Sequence, residues 1–273
     1  MLKARVFTAA LLLAALLAAL YWLPQVGWIA LIAVVLALAA REWGGLCGLS
    51  ARGRVFYAVA LGAAGAGAAW PRLQPVQSFP GHSWMYIASA AFWLVLAPLW
   101  LWKRPRFERS VVPLLAGVVA LVPCGAALSE LREAGPGTLL AIMAVAWISD
   151  TAAYFTGTRF GRHKLAPAIS PGKTWEGVYG ALAAVTVYAI AWIVSGGPRP
   201  GALREAPFGA LWFVILLLVL AAAGVIGDLL ESQLKRQAGV KDSGTLLPGH
   251  GGVLDRIDAL LPVLPLAALA FLK

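Results

Sequence analysis

Residues 208–227, FGALWFVILLLVLAAAGVIG, form an apolar run without a single charged side chain. As a helix, such a run is long enough to cross the hydrocarbon core of a bilayer, which is about 30 Å thick. Similar runs recur along the 273-residue chain, which is 61% hydrophobic and only 12% charged, whereas soluble domains carry about twice that charge. The runs are continuous and do not alternate as in a β-barrel. The sequence therefore predicts an all-α, polytopic integral membrane protein.

About nine of these segments are expected to cross the membrane as helices. The first follows a basic start, as in a signal peptide, but its apolar run exceeds the roughly 7–15 residues of a signal peptide, so we expect a retained helix. Pro262 and Pro265 predict a kink or an interruption in the last segment. The predicted helices are residues 5–22, 26–40, 55–70, 84–101, 111–128, 138–157, 177–195, 208–227 and 254–271.

Lysine and arginine are distributed unevenly between the two sides of this arrangement. The connections before the first helix and after the second, fourth, sixth and eighth contain 17 of the 22 basic residues. Because cytoplasmic loops are enriched in Lys and Arg, the N-terminus and the long polar loops 158–176 and 228–256 are predicted to face the cytoplasm. The same residues attract anionic lipid, which accounts for the net charge of +10. Nucleic-acid binding is disfavoured, because no soluble basic domain is present.

The polar residues that carry chemistry concentrate in the second half of the chain. Residues 1–136 are therefore predicted to be N-terminal transmembrane helices that serve as a scaffold. Residues 137–273 are predicted to form the transmembrane catalytic region, which contains both long cytoplasmic loops.

Asp150 lies within an apolar segment, where an unpaired carboxylate costs roughly 2.5–3.5 kcal/mol on insertion scales. It needs a cation, a metal ion or a polar cavity, and an ion pair with a neighbouring helix would satisfy it without any catalytic role. Downstream, Lys164 and Lys173 stand among further basic residues that could bind phosphate. The GKT run at 172–174 resembles the end of a P-loop, but Pro167 occupies a position that requires glycine, so the pattern fails.

Acidic residues recur where the eighth segment ends and the ninth begins. Asp228, Ser232 and Lys235 are spaced i, i+4, i+7 and share one helix face, with Glu231 beside them at i+3. Glu231 could instead form an ordinary i, i+4 pair with Lys235. Asp255 and Asp258 share a face at i, i+3. Either cluster alone fits a solvated or capped helix end. Together they would bring oxygen ligands to a hard divalent cation such as Mg²⁺, which binds through one or two carboxylates plus substrate phosphates.

The segment KDSGTLLPGHGG, residues 241–252, lies between these two acidic clusters. Its glycines allow backbone N–H groups to approach an anion closely. His250, which is flanked by glycines, is expected to contact a phosphate oxygen or to pair with a carboxylate. Carboxylates for Mg²⁺, combined with Lys, Arg and backbone amides for phosphate, predict phosphoryl or nucleotidyl transfer at the cytoplasmic face of the membrane.

The run S-x-L-K-R-x4-K-D-x-G-x2-L-P-x-H-G-G-V-x-D-R-I-D, residues 232–258, resembles the signature of the phosphatidate cytidylyltransferases, also called CDP-diacylglycerol synthases. Residues 147–177 and the GDLLES run at 227–232 are also similar to that family, whereas the first 140 residues resemble it mainly in hydropathy, with REW at 41–43. The resemblance implies that CTP and phosphatidic acid give CDP-diacylglycerol and pyrophosphate in phospholipid synthesis. It also implies Mg²⁺, K⁺ as a candidate second ion, and a homodimer in the bacterial inner membrane with dimer contacts in residues 1–136.

Position by position, the resemblance implies a role for most polar residues of these segments. Asp228 and Asp255 are the expected metal ligands and, with Lys235 and Lys241, the catalytic residues. The role of Asp258 stays open between helix capping and a part in the site. The expected substrate contacts are Ser232, Arg236, Asp242, His250, Arg256, Asp150, Lys164 and Lys173.

Three other functions compete with this interpretation. A transporter or channel would suit intramembrane carboxylates, but the charges crowd one membrane face and no inverted repeat is visible. A CDP-alcohol phosphotransferase would show the run D-G-x2-A-R-x8-G-x3-D-x3-D, which this chain lacks. A cytidylyltransferase for another lipid phosphate or phosphonate stays open, because acyl-chain contacts are generic apolar surface.

Overall fold

Helices dominate the part of the chain that the computed structural model describes, residues 2–70, 83–105, 111–246 and 251–272. The first half contains α1 (Leu2–Trp22), α2 (Gln25–Leu46), α3 (Ala51–Ala69), α4 (Ser83–Ala91), α5 (Ala97–Lys103) and α6 (Val112–Ala134). The second half contains α7 (Pro136–Phe160), β1 (Lys164–Ala166), β2 (Ser170–Thr174), α8 (Trp175–Val194), α9 (Gly201–Glu205), α10 (Gly209–Gln237), α11 (Leu254–Ile257) and α12 (Leu260–Phe271). A π-helical turn, Phe92–Leu96, joins α4 and α5 into one continuous helix.

Six helices in the described ranges are long and apolar enough to cross a membrane: α2, the continuous α4–α5 helix, α6, α7, α8 and α10. The Ala10–Trp22 part of α1 and α12 are also apolar but shorter. The protein is therefore an all-α polytopic membrane protein, as predicted. Each of the nine predicted segments contains helix, although nine crossings and the side on which each terminus lies stay predictions.

Local sequence explains where several helices begin. The Ser50 hydroxyl accepts a hydrogen bond from the Gly53 N–H and caps α3, and the Thr174 hydroxyl does the same for α8 with Gly177, both at 3.2 Å. Pro136 is the first residue of α7, a position where a backbone N–H would make no hydrogen bond within the helix, so proline is tolerated there. These caps place the start of α8 directly after the strand β2.

The core is formed by buried apolar side chains from most of the helices, α6 included, and Trp43 of α2 and Phe213 of α10 are among its fully buried members. The indole N–H of Trp43 donates to the carbonyl of Pro113 at 2.8 Å, and the Tyr57 hydroxyl donates to the carbonyl of Leu114 at 2.6 Å. Polar groups that are removed from water need such partners. These bonds fix α2 and α3 against the first turn of α6.

Both predicted long loops contain regular structure that hydropathy alone does not indicate. The loop 158–176 contains an antiparallel hairpin in which Lys164 pairs with Thr174 and Ala166 with Ser170. The segment 228–256 begins as helix, because α10 continues ten residues beyond the predicted end at residue 227. This polar extension of α10 carries Asp228, Ser232 and Lys235, in agreement with the predicted shared helix face.

The last predicted helix is divided into α11 and α12 at Asp258 and Ala259. Pro262 lacks the N–H that would bond to the carbonyl of Asp258, so regular helix is interrupted there. The expected interruption is confirmed, but it precedes the prolines, and α12 runs through Pro265. Gly227 of α10 packs directly against the Asp258 carbonyl, so the break lets the two polar helix ends meet.

Replacing Gly227 with alanine should destabilise the protein, because the added Cβ would collide with the Asp258 carbonyl and lie 2.9 Å from Pro262 Cδ. Overpacking of this kind costs about 1–3 kcal/mol. The matched control is Gly67→Ala in α3, where the new Cβ would meet nothing within 4 Å; it should be neutral or slightly stabilising. Thermal unfolding in detergent micelles measures both, and equal unfolding temperatures would contradict the close approach of α10.

Candidate active site

A cleft of about 480 Å³ lies between α7, the β-hairpin, α8, α10 and α11. Its wall combines carboxylates with basic side chains that come from separate segments of the chain. The structure thus brings together groups that the sequence places in different motifs. The charged residues of the wall are Asp150, Lys173, Asp228, Asp255, Arg256 and Asp258.

Asp228 and Lys173 form an ion pair within this wall. The Nζ of Lys173 lies 2.7 Å from Asp228 Oδ2, and the Ser232 hydroxyl donates to Asp228 Oδ1 at 3.2 Å. The side chains of Asp228 and Lys173 are 30% and 24% exposed. A ligand in the cleft can therefore reach both partners. The β-hairpin positions the cation, since Lys173 lies on β2.

Asp150 and Asp258 line the cleft together with this ion pair. Burial, and next the nearby Asp228 and Asp150 carboxylates, raise the pKa of Asp258, which lies between α11 and α12. Across the described ranges, no three His, Cys, Asp or Glu side chains converge closely enough to hold a metal ion by themselves. Mg²⁺ typically takes one or two carboxylates and completes its shell with phosphates and water.

Lys235 lies between two carboxylates on neighbouring elements. Its Nζ is 2.6 Å from Glu231 Oε2 and 2.6 Å from Asp255 Oδ1. All three side chains are largely removed from water, with 11%, 1% and 7% of Lys235, Glu231 and Asp255 exposed. Buried charges persist when they are paired and hydrogen-bonded. This buried triad connects the polar end of α10 to α11.

Asp255 also anchors Ser243 and Gly252, which belong to residues 241–252; we call this segment the glycine loop, and its residues 247–250 lie outside the described residues. Asp255 Oδ2 accepts hydrogen bonds from the Gly252 N–H at 2.8 Å, the Ser243 N–H at 2.9 Å and the Ser243 hydroxyl at 3.0 Å. Burial alone would raise the pKa of Asp255, but Lys235 and these N–H groups hold it below its usual range. Gly251 has a φ of +82°, and a Cβ there would lie 2.6 Å from Asp255 Oδ2. Only glycine suits that position.

Glu42, near the end of α2, reaches the same loop and is absent from the predicted site residues. Its carboxylate accepts hydrogen bonds from the Leu254 N–H at 2.8 Å, the Ser243 hydroxyl at 3.0 Å and the Val253 N–H at 3.1 Å. The sequence offers one signal, a carboxylate directly after an apolar segment, within the REW run at 41–43. Nothing local connects that signal to a loop more than 200 residues away.

The family model described as "Cytidylyltransferase family" matches residues 3–272 of the chain. The chain belongs to the cytidylyltransferase family. It is 37% identical over 279 residues to a phosphatidate cytidylyltransferase of Pseudomonas aeruginosa, with 98% of this chain and 96% of the relative covered. A relative of the same name from Haemophilus influenzae is 34% identical, with 97% and 96% covered. One from Brucella suis is 45% identical over 175 residues, which are 63% of this chain and 58% of the relative. The resemblance drawn from the sequence motifs is confirmed, and the protein is a nucleotidyltransferase.

Several predicted site residues of this cytidylyltransferase are not among the residues that line the cleft. Lys241 and Asp242 are exposed just after α10. Arg236 donates from Nε to a backbone carbonyl in the hairpin turn at 3.3 Å. Lys164 lines a separate depression of about 620 Å³. His250 lies outside the described residues, and the roles of all these residues stay predictions.

Replacing Lys235 with methionine should destabilise this cytidylyltransferase, because Glu231 and Asp255 would then face each other without a cation. Removing one partner from a buried charge group costs about 3–5 kcal/mol. The matched control is Lys103→Met at the exposed end of α5, which should change the free energy of unfolding by less than about 0.5 kcal/mol. Unfolding in detergent micelles at neutral pH measures both. A Lys235→Met protein as stable as the wild type would refute the buried triad.

Proposed function

We propose that the protein is a phosphatidate cytidylyltransferase, which converts CTP and phosphatidic acid into CDP-diacylglycerol and pyrophosphate. The observation that carries the proposal is the cleft, whose wall combines four acidic side chains with Lys173 and Arg256. Such a mixture suits two polyanionic substrates that meet with a metal ion. The relatives named phosphatidate cytidylyltransferase that align over nearly their full length support the same reaction.

Phosphatidic acid would supply its own nucleophile. A phosphate monoester with a second pKa of about 6 is largely dianionic near pH 7. One of its oxygens attacks the α-phosphorus of CTP in line, the bond from that phosphorus to the bridging oxygen breaks, and pyrophosphate leaves with the electron pair. Neither a strong general base nor a covalent enzyme intermediate is required. The protein therefore has to align two polyanions and offset their repulsion.

The basic residues of the cleft wall are assigned to the phosphates. Lys173 and Arg256 line the cleft. Lys173 is partly exposed there although it is paired with Asp228, so it could also contact a substrate phosphate. Asp150 and Ser232 complete the proposed substrate contacts on this side. Lys235 holds Asp255 in place through the buried triad. The remaining proposed contacts to substrate are Arg236, Lys241, Asp242, His250 and Lys164.

Asp228 and Asp255 are the proposed Mg²⁺ ligands. Asp228 fits this role because it is partly exposed and its contacts are to side chains that can move. Asp255 Oδ1 receives a hydrogen bond from Lys235, and a carboxylate oxygen has two lone pairs, so one lone pair suits a metal contact. Bound Mg²⁺ would offset phosphate charge in the transition state. K⁺ is proposed as a candidate second ion.

We place the cleft on the cytoplasmic side of a bacterial inner membrane and propose a homodimer with contacts in residues 1–136. The excess of Lys and Arg in the connections on that side supports the orientation. The substrates support it as well, since CTP is a cytosolic nucleotide and phosphatidic acid is a membrane lipid.

Purified protein in detergent, supplied with CTP, phosphatidic acid and Mg²⁺, should form CDP-diacylglycerol and pyrophosphate in equal amounts. Asp228→Asn and Asp255→Asn should each lower kcat by at least about 100-fold, because each removes a carboxylate that is proposed to hold Mg²⁺ at the phosphates. The matched control is Glu205→Gln, an exposed carboxylate on α9, which should retain wild-type turnover.

Wild-type turnover in either aspartate variant would refute the metal assignment. Absence of product with every lipid phosphate and ion tested would refute the enzyme proposal. Product from another lipid phosphate or phosphonate, without product from phosphatidic acid, would change the assigned substrate. Asp258→Asn separates the two open roles of that residue, because a pure helix-capping role predicts a milder loss than at Asp228.

Metal removal should abolish turnover reversibly. Treatment with a chelator should bring the rate to background, and added Mg²⁺ should restore it, because the cleft carboxylates would otherwise repel the substrate phosphates. If Asp258 contributes to metal binding, a partly active Asp258→Asn protein should need a higher Mg²⁺ concentration for its half-maximal rate than the wild type. Full activity in excess chelator would contradict the Mg²⁺ proposal.

A further inference from the structure

Glu42 binds the glycine loop at Ser243, the residue that Asp255 also binds. Its two oxygens accept hydrogen bonds from Ser243 near the start of the loop and from the N–H groups of Val253 and Leu254, which follow the loop directly at the start of α11. Glu42 belongs to α2, one of the N-terminal helices. One carboxylate thus closes the loop and fixes it to a helix that lies outside the region predicted to be catalytic.

The Ser243 hydroxyl connects Glu42 to the cleft wall. Its oxygen lies 3.0 Å from Glu42 Oε2 and 3.0 Å from Asp255 Oδ2. A hydroxyl has one proton to donate, so the two carboxylates share it. Asp255 in turn lines the cleft and binds Lys235. A displacement of Glu42 would therefore be transmitted through Ser243 to Asp255.

The loop is built closely around the Glu42 carboxylate. A Cβ added to Gly244 or to Gly252 would collide with its oxygens. Atoms this close leave no space for a side chain at either glycine. At these two positions only the loop backbone can lie against the carboxylate. The Glu42 carboxylate is therefore enclosed by the loop, whereas an acidic residue on an open surface would contact only water.

We propose that Glu42 is a positioning residue of the active site: it fixes the glycine loop and, through Ser243, the orientation of Asp255. It acts through these groups and contacts no substrate. The inference rests on the proposed function and extends that function's machinery to α2.

Glu42→Gln tests this proposal in the full chain in detergent. Glutamine keeps the shape but replaces one acceptor oxygen with an NH₂ donor, so a loop donor loses its partner. Hydrogen exchange of the amides at Val253 and Leu254 should accelerate by about tenfold. At the same time kcat should fall by about 10- to 100-fold, as expected for a small misplacement in an active site, while KM for phosphatidic acid stays within about threefold.

The matched control is Glu133→Gln in α6, where the carboxylate accepts a hydrogen bond from Gln25 at 2.7 Å. It should leave kcat and loop exchange unchanged. Wild-type exchange at residues 253 and 254 in Glu42→Gln would overturn the proposal, and so would wild-type kcat. If the wild type itself makes no CDP-diacylglycerol, the proposed function fails, whereas the exchange measurement still decides whether Glu42 holds the loop.

Ser243→Ala provides a second test, and its own loss of activity can be measured even if Glu42→Gln does not fold. It removes the shared hydroxyl and leaves both carboxylates in place. It should lower kcat by about tenfold, and the double variant should lose less than the product of the two single losses, because both act through one connection. Independent, multiplicative losses, or full activity of Ser243→Ala, would overturn the role of Ser243 as the connection to Asp255.

Discussion

A charge that leaves water must be compensated nearby, and in this protein Lys235 provides the compensation on which the site depends. Without it, Glu231 and Asp255 would be two buried carboxylates in contact with apolar packing. With it, the polar end of α10 and the start of α11 can lie together inside the protein. The Gly227 contact with the Asp258 carbonyl and the cleft between α7 and α10 both require that arrangement.

Hydropathy predicts the helices of this chain well, because a span in lipid needs a long apolar run with an internally bonded backbone. It misses the helix at residues 228–237, where polar side chains alternate with the buried Leu229, Leu230 and Leu234. There the helix continues inside the protein, since every residue from Leu229 to Lys235 is buried, and an average hydropathy does not register that burial. The hairpin at 164–174 is too short and too polar to give a strand signal of its own.

The site is predictable to the extent that residue type determines chemistry. Asp150, Lys173, Asp228 and Asp255 were expected from their charge beside apolar segments, and they line one cleft. The sequence could not reveal which cation meets which carboxylate between separate elements, because tertiary packing brings Lys173 of β2 to Asp228 of α10 and Lys235 of α10 to Asp255 of α11. Glu42 is absent from the predicted site residues for the same reason, since tertiary packing alone determines its partners.

The distance along the chain between Glu42 and Leu254, 212 residues, bears on how the protein is made. During synthesis the N-terminal segments emerge and fold first, so α2 is in place long before its hydrogen-bond donors exist. The Glu42 carboxylate lacks these partners while the intervening helices are inserted, and the cleft is completed only when α11 and α12 have been synthesised. A ribosome that stalls before residue 251 would therefore leave a membrane-embedded chain with most of its helices and an unfinished active site.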